Sequence, residues 1–292
     1  MPESVTVRVP ATSANLGAGF DCLGMALDLW SSITISLEGE STEDEPMAHM
    51  ALVAAQRAFE KARRALPPKL SARYEGHIPI ARGLGASAVA RVGALVAANV
   101  LAGRRLDDER LLAIGAELEG HADNVTPALL GGFQVAVVEG GRVLHASVLL
   151  PAGLSAVLFV PELRMPTKES RRLLPSNLSR EDAVHNTGRA ALLVAALTAG
   201  RFELLDAATD DRLHQRARSQ LFPAMYEIFA AAKQAGAHCA YLSGGGSTIC
   251  ALATGGEQGI AAAMQQAAAG RVTPGETMIT RPAERGASLV ES

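Results

Sequence analysis

The sequence predicts an α+β protein in two domains, and three observations carry that expectation. A chain of 292 residues, 48% of them hydrophobic, has enough apolar material to fill two cores. Residues alternating with period two, as in Val5, Val7 and Val9 around Thr6 and Arg8, are interspersed with long apolar runs such as Ala86 to Leu101. The stretch Pro151-Ala152-Gly153 interrupts both patterns, which gives an N-terminal unit over 1–152 and a C-terminal unit over 153–292.

Taken in order, Val5 to Val9 is a half-buried strand that ends at Pro10, which cannot donate to a ladder. Ala11 to Gly24 follows as a loop with three glycines, and its polar Asn15 and Asp21 sit among apolar neighbours. That placement points to a site, whereas turn-forming Asn and Asp on the surface would be the plainer reading. Ile33, Ile35 and Leu37 mark a second strand, Glu38 to Glu45 an acidic exposed loop, and Met47 to Ala65 a helix. Arg73 to Ile80 leads back as a strand.

The stretch Pro79-Ile80-Ala81-Arg82-Gly83-Leu84-Gly85-Ala86-Ser87-Ala88-Val89 then reads as a phosphate loop. Two glycines one residue apart let bare backbone N–H groups approach a ligand. The helix behind them runs proline-free to Leu101, with Arg91 its one charge and Gly103 beyond its end. Being apolar nearly all round it should be buried, with its positive N-terminal end facing the loop, where a triphosphate is the natural occupant. Gly83-x-Gly85-x-x-Ala88 with Asp107 also fits a loose dinucleotide fingerprint, but the residues before it are polar and interrupted by Pro79 rather than a continuous apolar strand. No Gly-Lys pair exists, so a Walker A loop is excluded.

Asp107 caps the next helix, through Leu111, Leu112, Ile114 and Leu118, which runs into Glu117-Leu118-Glu119-Gly120-His121-Ala122-Asp123-Asn124-Val125-Thr126-Pro127. Three acids, a histidine and an amide at a helix end could hold a divalent cation and a polar substrate, although helix ends are often polar without function. Gly131-Gly132 leads into a strand from Phe133 to Glu139.

The second unit starts at Ser155, with a helix from Thr167 and a longer one from Ser179 to Ala199 that opens on the capping box Ser179-x-x-Asp182. His185 and Arg189 share one face of it. The run from Asp210 to Arg218 is charged, and most of its arginines should be solvated. A helix from Phe222 to Gly236 follows. Ala240 to Leu252 reads as strand, glycine loop, strand, where Gly244-Gly245-Gly246 is either a hairpin or a close approach to a ligand. A helix from Glu257 to Ala269 and a weak strand near Thr277 close the chain.

A net charge of −3 argues against a nucleic-acid partner. Met1 to Pro10 lacks a signal-peptide core, no run is long and apolar enough for a membrane span, and three cysteines without CxxC spacing suit a reduced cytoplasm.

The three glycine-bearing stretches resemble, in order, the three motifs of the GHMP kinases, and the match spans nearly the whole chain. Within that superfamily Pro10 to Gly24 and Glu119-Gly120-His121-Ala122-Asp123-Asn124-Val125 look like the homoserine kinase branch. The resemblance implies an N-terminal domain like the second domain of ribosomal protein S5, a C-terminal ferredoxin-like domain and a site between them. It also implies a homodimer, ATP and Mg2+ as cofactors, and phosphorylation of L-homoserine on the way to threonine. Backbone from Gly83 to Ser87 would hold phosphates, Ser87 and Glu119 the metal, with Glu117 a rival ligand. Asp123 and Asn124 would join Glu119 and Ser87 in catalysis. Asn15, Asp21 and His121 would surround the amino acid, with Arg189 and Arg218 for its carboxylate and Arg216 a near alternative to Arg218. The resemblance leaves two rivals, a mevalonate kinase-like enzyme and a nucleotide sensor without catalysis. Ala86 stands where the family usually has a first serine, and Gly245 and Ser247 where Ala and Pro are common.

Overall fold

The computed structural model describes residues 2–39, 45–76 and 78–290. The first unit contains β1 (Ser4–Ala14), β2 (Leu23–Ser36), α1 (Pro46–Lys61), β3 (Ser71–Gly76), α2 (Ala86–Leu101), α3 (Asp108–Glu119), α4 (Val125–Leu130), β4 (Phe133–Glu139) and β5 (Arg142–Val148). The second contains β6 (Ser155–Pro161), α5 (Thr167–Arg172), α6 (Arg180–Ala199), α7 (Leu205–Ala208), α8 (Gln215–Arg218), α9 (Met225–Gln234), β7 (Cys239–Leu242), β8 (Ile249–Ala253), α10 (Glu257–Gly270) and β9 (Gly275–Thr280). The chain ends on β10 (Ser288–Leu289), which pairs with β1.

Two antiparallel sheets result. The first has the order β10-β1-β2-β4-β5, with β3 also on β2; the second has the order β7-β8-β6-β9. The long β2 serves two neighbours on one edge: Ser31 to Ser36 pair with β3, and Leu23 to Met25 with β4. The last residues thus return to the first sheet, a long-range pairing that two residues of pattern could not signal.

Pro10 does not end β1. The strand continues to Ala14 through an irregularity between Pro10 and Ala11, where the pairing on β2 jumps from Trp30 to Leu27. The jump accommodates a residue with no N–H. The loop expected from Ala11 to Gly24 is therefore shorter, with strand at both ends. The helix expected to Ala65 stops at Lys61, and Arg63 beyond it is left-handed at φ 53°. The strand expected to Ile80 stops at Gly76. Of the acidic stretch from Glu38 to Glu45, residues 40–44 lie outside the described ones. Neither α4 nor β5 was legible as an element of its own.

α2 is the apolar helix the sequence promised. Twelve of its sixteen residues are buried, and it packs on β1, β2 and α1 at the centre of the larger core. Each fully buried Val or Leu there contributes about 1.5–3 kcal/mol, which holds the start of α2 in one place. α6 opens as expected, with the Ser179 hydroxyl accepting from the Asp182 N–H. No helix among the described residues is long and apolar enough to cross a membrane.

Candidate active site

A cleft of about 580 Å³ is lined by loop and helix residues of both units. Its walls include the whole segment from Pro79 to Ser87 together with Asn15, Asp21, Arg91, Glu119, His121, Asp123, Asn124, Arg171, Arg218 and Gly244. Six separate stretches of sequence therefore converge on one space. Ala88 and Val89 lie behind it, fully buried, and anchor the loop rather than line it.

The phosphate loop is built from backbone. Gly83 and Gly85 have φ of 79° and 69°, and a Cβ on them would come within 2.1 Å of the Ser243 carbonyl and 1.9 Å of the Thr12 hydroxyl. Only glycine fits either position. Gly85 is the N-cap of α2 and supplies no side-chain cap, so the first N–H groups of the helix remain available to an anion beside its positive end. The third glycine stretch acts as a clamp. Ser243 donates to the Gly83 carbonyl at 2.6 Å, and the Thr248 N–H donates to the Arg82 carbonyl at 2.8 Å. These contacts hold the loop, while Gly244 and Gly245 themselves line the cleft.

At the loop's exit the Ser87 hydroxyl donates to Glu119 Oε2 at 3.2 Å, and Arg91 forms an ion pair with the other oxygen. Glu117, two residues earlier on α3, is exposed and pairs with Arg57 and Lys61 outside this cleft. A hydroxyl and a carboxylate are hard oxygen ligands of the kind magnesium prefers, so this pair fits that ion. Among the described residues no three His, Cys, Asp or Glu side chains form a metal cage, and phosphate and water would have to complete the shell.

The opposite wall is made of side chains. His121 Nδ1 lies 2.6 Å from Asp123 Oδ1, which also accepts from Asn124 Nδ2 at 3.2 Å. Asn124 Oδ1 in turn accepts from the Thr12 hydroxyl at 2.7 Å, so the strand residue Thr12 sets the amide's orientation. Burial draws the His121 pKa down, but the hydrogen bond and charge of Asp123 and the charge of Glu119 outweigh it, and the net shift is upward. Asn15 holds the Asp21 N–H with its oxygen at 3.0 Å and the Gly244 carbonyl with its amide at 2.8 Å. Asp21 is gripped through both oxygens by Arg171, with Nη1 at 2.9 Å from Oδ2 and Nη2 on Oδ1.

Arg218 is 1% exposed, contrary to the solvated run expected between Asp210 and Arg218. Asp211 explains the difference, since its buried carboxylate accepts from the N–H groups of Leu213, His214 and Gln215 and from the Asn186 amide. The segment is an internal network with charges at both ends. Burial, then the neighbouring Arg171, lowers the Arg218 pKa to about 10. Arg216 is exposed and does not line the cleft.

Arg189, expected beside the carboxylate, is not among the residues that line the cleft. It sits on α6, and the arginines of this half of the chain that do line the cleft are Arg171 on α5 and Arg218 on α8. Arg189, like Arg218, is marked by its position in the family pattern, while Arg171 lies in a short charged helix that no motif marks. The two guanidinium groups that do meet, Arg171 and Arg218, stand 5.2 and 5.5 Å from the Phe20 ring.

The model of the GHMP kinases' N-terminal domain matches residues 49–132, and that of their C-terminal domain matches residues 193–270. The homoserine kinase of Moorella thermoacetica is 40% identical over 97% of this chain and 99% of its own. That of Desulfitobacterium hafniense is 44% identical over 85% of this chain and 86% of its own. The chain belongs to the homoserine kinase family of the GHMP kinases. A crystal structure of homoserine kinase from Cytophaga hutchinsonii aligns with a TM-score of 0.89 at 27% identity, covering 99% of this chain and 98% of that one. Mevalonate diphosphate decarboxylase from Staphylococcus aureus shares the fold, with a TM-score of 0.72 at 13% identity, covering 100% of this chain and 99% of that one.

Proposed function

We propose that this kinase transfers the terminal phosphoryl group of ATP to the side-chain hydroxyl of L-homoserine. The observation that carries the reading is the pairing, in one cleft, of an uncapped buried helix start with a carboxylate and two guanidinium groups. The helix start suits a triphosphate, and the Asp21, Arg171 and Arg218 group suits a zwitterionic amino acid. Asp21 receives the substrate ammonium. Arg171 and Arg218 receive its carboxylate, which loosens the Arg171 to Asp21 pair by giving each partner a new counter-charge.

The hydroxyl then lies towards Asp123 and Asn124. Its oxygen forms the new bond to the terminal phosphorus, the bond from that phosphorus to the ADP oxygen breaks, and the hydroxyl proton passes to Asp123 Oδ2 or to the transferred group. Oδ1 of Asp123 is already occupied by His121 and Asn124, which leaves Oδ2 for the substrate. The transition state is loose, so positioning and charge placement supply most of the rate. Ser87 and Glu119 would hold magnesium, which when bound with the nucleotide neutralises charge on the phosphates. Ala86 leaves Ser87 as the only hydroxyl of the loop. Placement in threonine biosynthesis, in the cytoplasm and as a homodimer belongs to the same reading.

Coupled ADP release with L-homoserine, mevalonate and galactose tests it. Turnover is expected with homoserine alone. Turnover with mevalonate would make the chain a kinase of another branch, and nucleotide binding without turnover of any of the three would make it a sensor.

A further inference from the structure

His214 is fully buried beneath the amino-acid side of the cleft. Its Nε2 is 2.8 Å from the Gly17 carbonyl, which can only accept, so Nε2 carries the hydrogen. Nδ1 is then an acceptor, and Arg218 Nη1 donates to it at 2.8 Å. The same Nη1 also donates to the Gly244 carbonyl at 3.0 Å. The neighbours therefore fix one tautomer. The groups that face the ring are Arg218, Phe20 with ring centres 5.2 Å apart, and Asp211 with Oδ2 3.8 Å from Nε2. Asp211 is already saturated by backbone and amide donors.

One edge of the Arg218 guanidinium is thus spent on the protein. Nε is buried and has no hydrogen-bond partner among the described residues. A carboxylate binds arginine best through two parallel bonds, and the edge that offers them here is Nε with Nη2. We infer that His214 is a positioning residue that selects this edge, and that it ties the loop carrying Asn15 and Asp21 to Arg218 through Gly17. The inference rests on the reading of Arg218 as the carboxylate receptor. It sets the distance between the ammonium and carboxylate ends of the site, so that an amino acid fits and an amino alcohol without the carboxylate does not. The plainer role is packing against Phe20.

His214→Phe keeps a ring against Phe20 and loses both hydrogen bonds, whereas His214→Gln keeps a donor and an acceptor. The experiment measures the KM for homoserine and for ATP separately in each variant, alone and combined with Arg218→Ala, with melting curves for every protein. His214→Phe is expected to raise the homoserine KM roughly tenfold, the loss of one charge-assisted contact, with the ATP KM within about twofold. His214→Gln recovers part of the loss. In the Arg218→Ala background His214→Phe adds less than about twofold, because its effect runs through that guanidinium. The preference for homoserine over the amino alcohol falls in His214→Phe. Equal multiplicative effects with and without Arg218, or a lowered melting temperature with unchanged kinetics, would reduce His214 to core packing. If His214→Phe fails to fold, the same cycle with His214→Gln decides on the same criterion. A wild-type protein that does not turn over homoserine overturns the functional reading itself and is told apart by that control.

Discussion

On the phosphate side of the cleft a ligand would meet backbone N–H groups held by Gly83, Gly85 and the buried helix α2, whereas on the amino-acid side it would meet Asp21, Asp123, Arg171 and Arg218. The first wall comes from one continuous segment. The second is assembled from the loop after β1, the turn between α3 and α4, α5 and α8. A phosphate, common to every ATP, can be bound by main chain whatever the acceptor. Choice of acceptor needs side chains of specified sign at specified distances, and these are what must vary among kinases sharing the fold.

This contrast predicts where substitutions show their effect. The largest belongs to the boundary between the walls, where Glu119→Gln and Ser87→Ala should each lower turnover by roughly 100-fold or more, as removal of single charge-stabilising groups does. Glu117→Gln, outside the cleft, should leave the rate unchanged. Initial rates across a magnesium titration check both, and a loss confined to Glu117→Gln would move the metal site to the other acid.

Asp123→Asn should come next, with homoserine turnover reduced and the ATP KM little altered, because Asp123 faces the acceptor and is held by His121 and Asn124 rather than by the phosphate loop. Unchanged homoserine KM and kcat would remove Asp123 from the chemistry.

The smallest effect is on stability. The His121 pKa is raised above its ordinary 6.5, so the stabilisation from its charge beside Asp123 is fully present below that value and lost as pH rises through the raised one. The melting-temperature gap between wild type and His121→Gln should be widest in mildly acidic buffer and shrink towards alkaline pH. A gap that widens with pH would contradict the assigned ion pair.

The same contrast accounts for what the sequence disclosed. The phosphate loop was legible because two glycines one residue apart before an alanine-rich helix are a local pattern. Asn15, Asp21, His121 and Asp123 were legible through motif stretches, and Arg218 through its position in the family pattern. Thr12 and His214 were not singled out, because their parts depend on partners more than a hundred residues away. Arg171 was not singled out, because no motif marks its short charged helix and only the packed structure shows that this helix reaches the cleft. Pro10 misled for a related reason. Its missing N–H is tolerated at a shift of register that only the paired strand reveals.

The division of the cleft into a backbone wall and a side-chain wall is tested most directly by Arg218→Ala, with each substrate varied separately. The homoserine KM should rise by about 10- to 150-fold, the range for loss of a charge-assisted contact, while the ATP KM stays within about twofold. Arg218→Lys should restore only part, since an ammonium keeps the charge and loses the fork. Kinetics within about twofold of wild type for both substrates, or an equal rise in both KM values, would contradict the assignment of this wall to the amino acid.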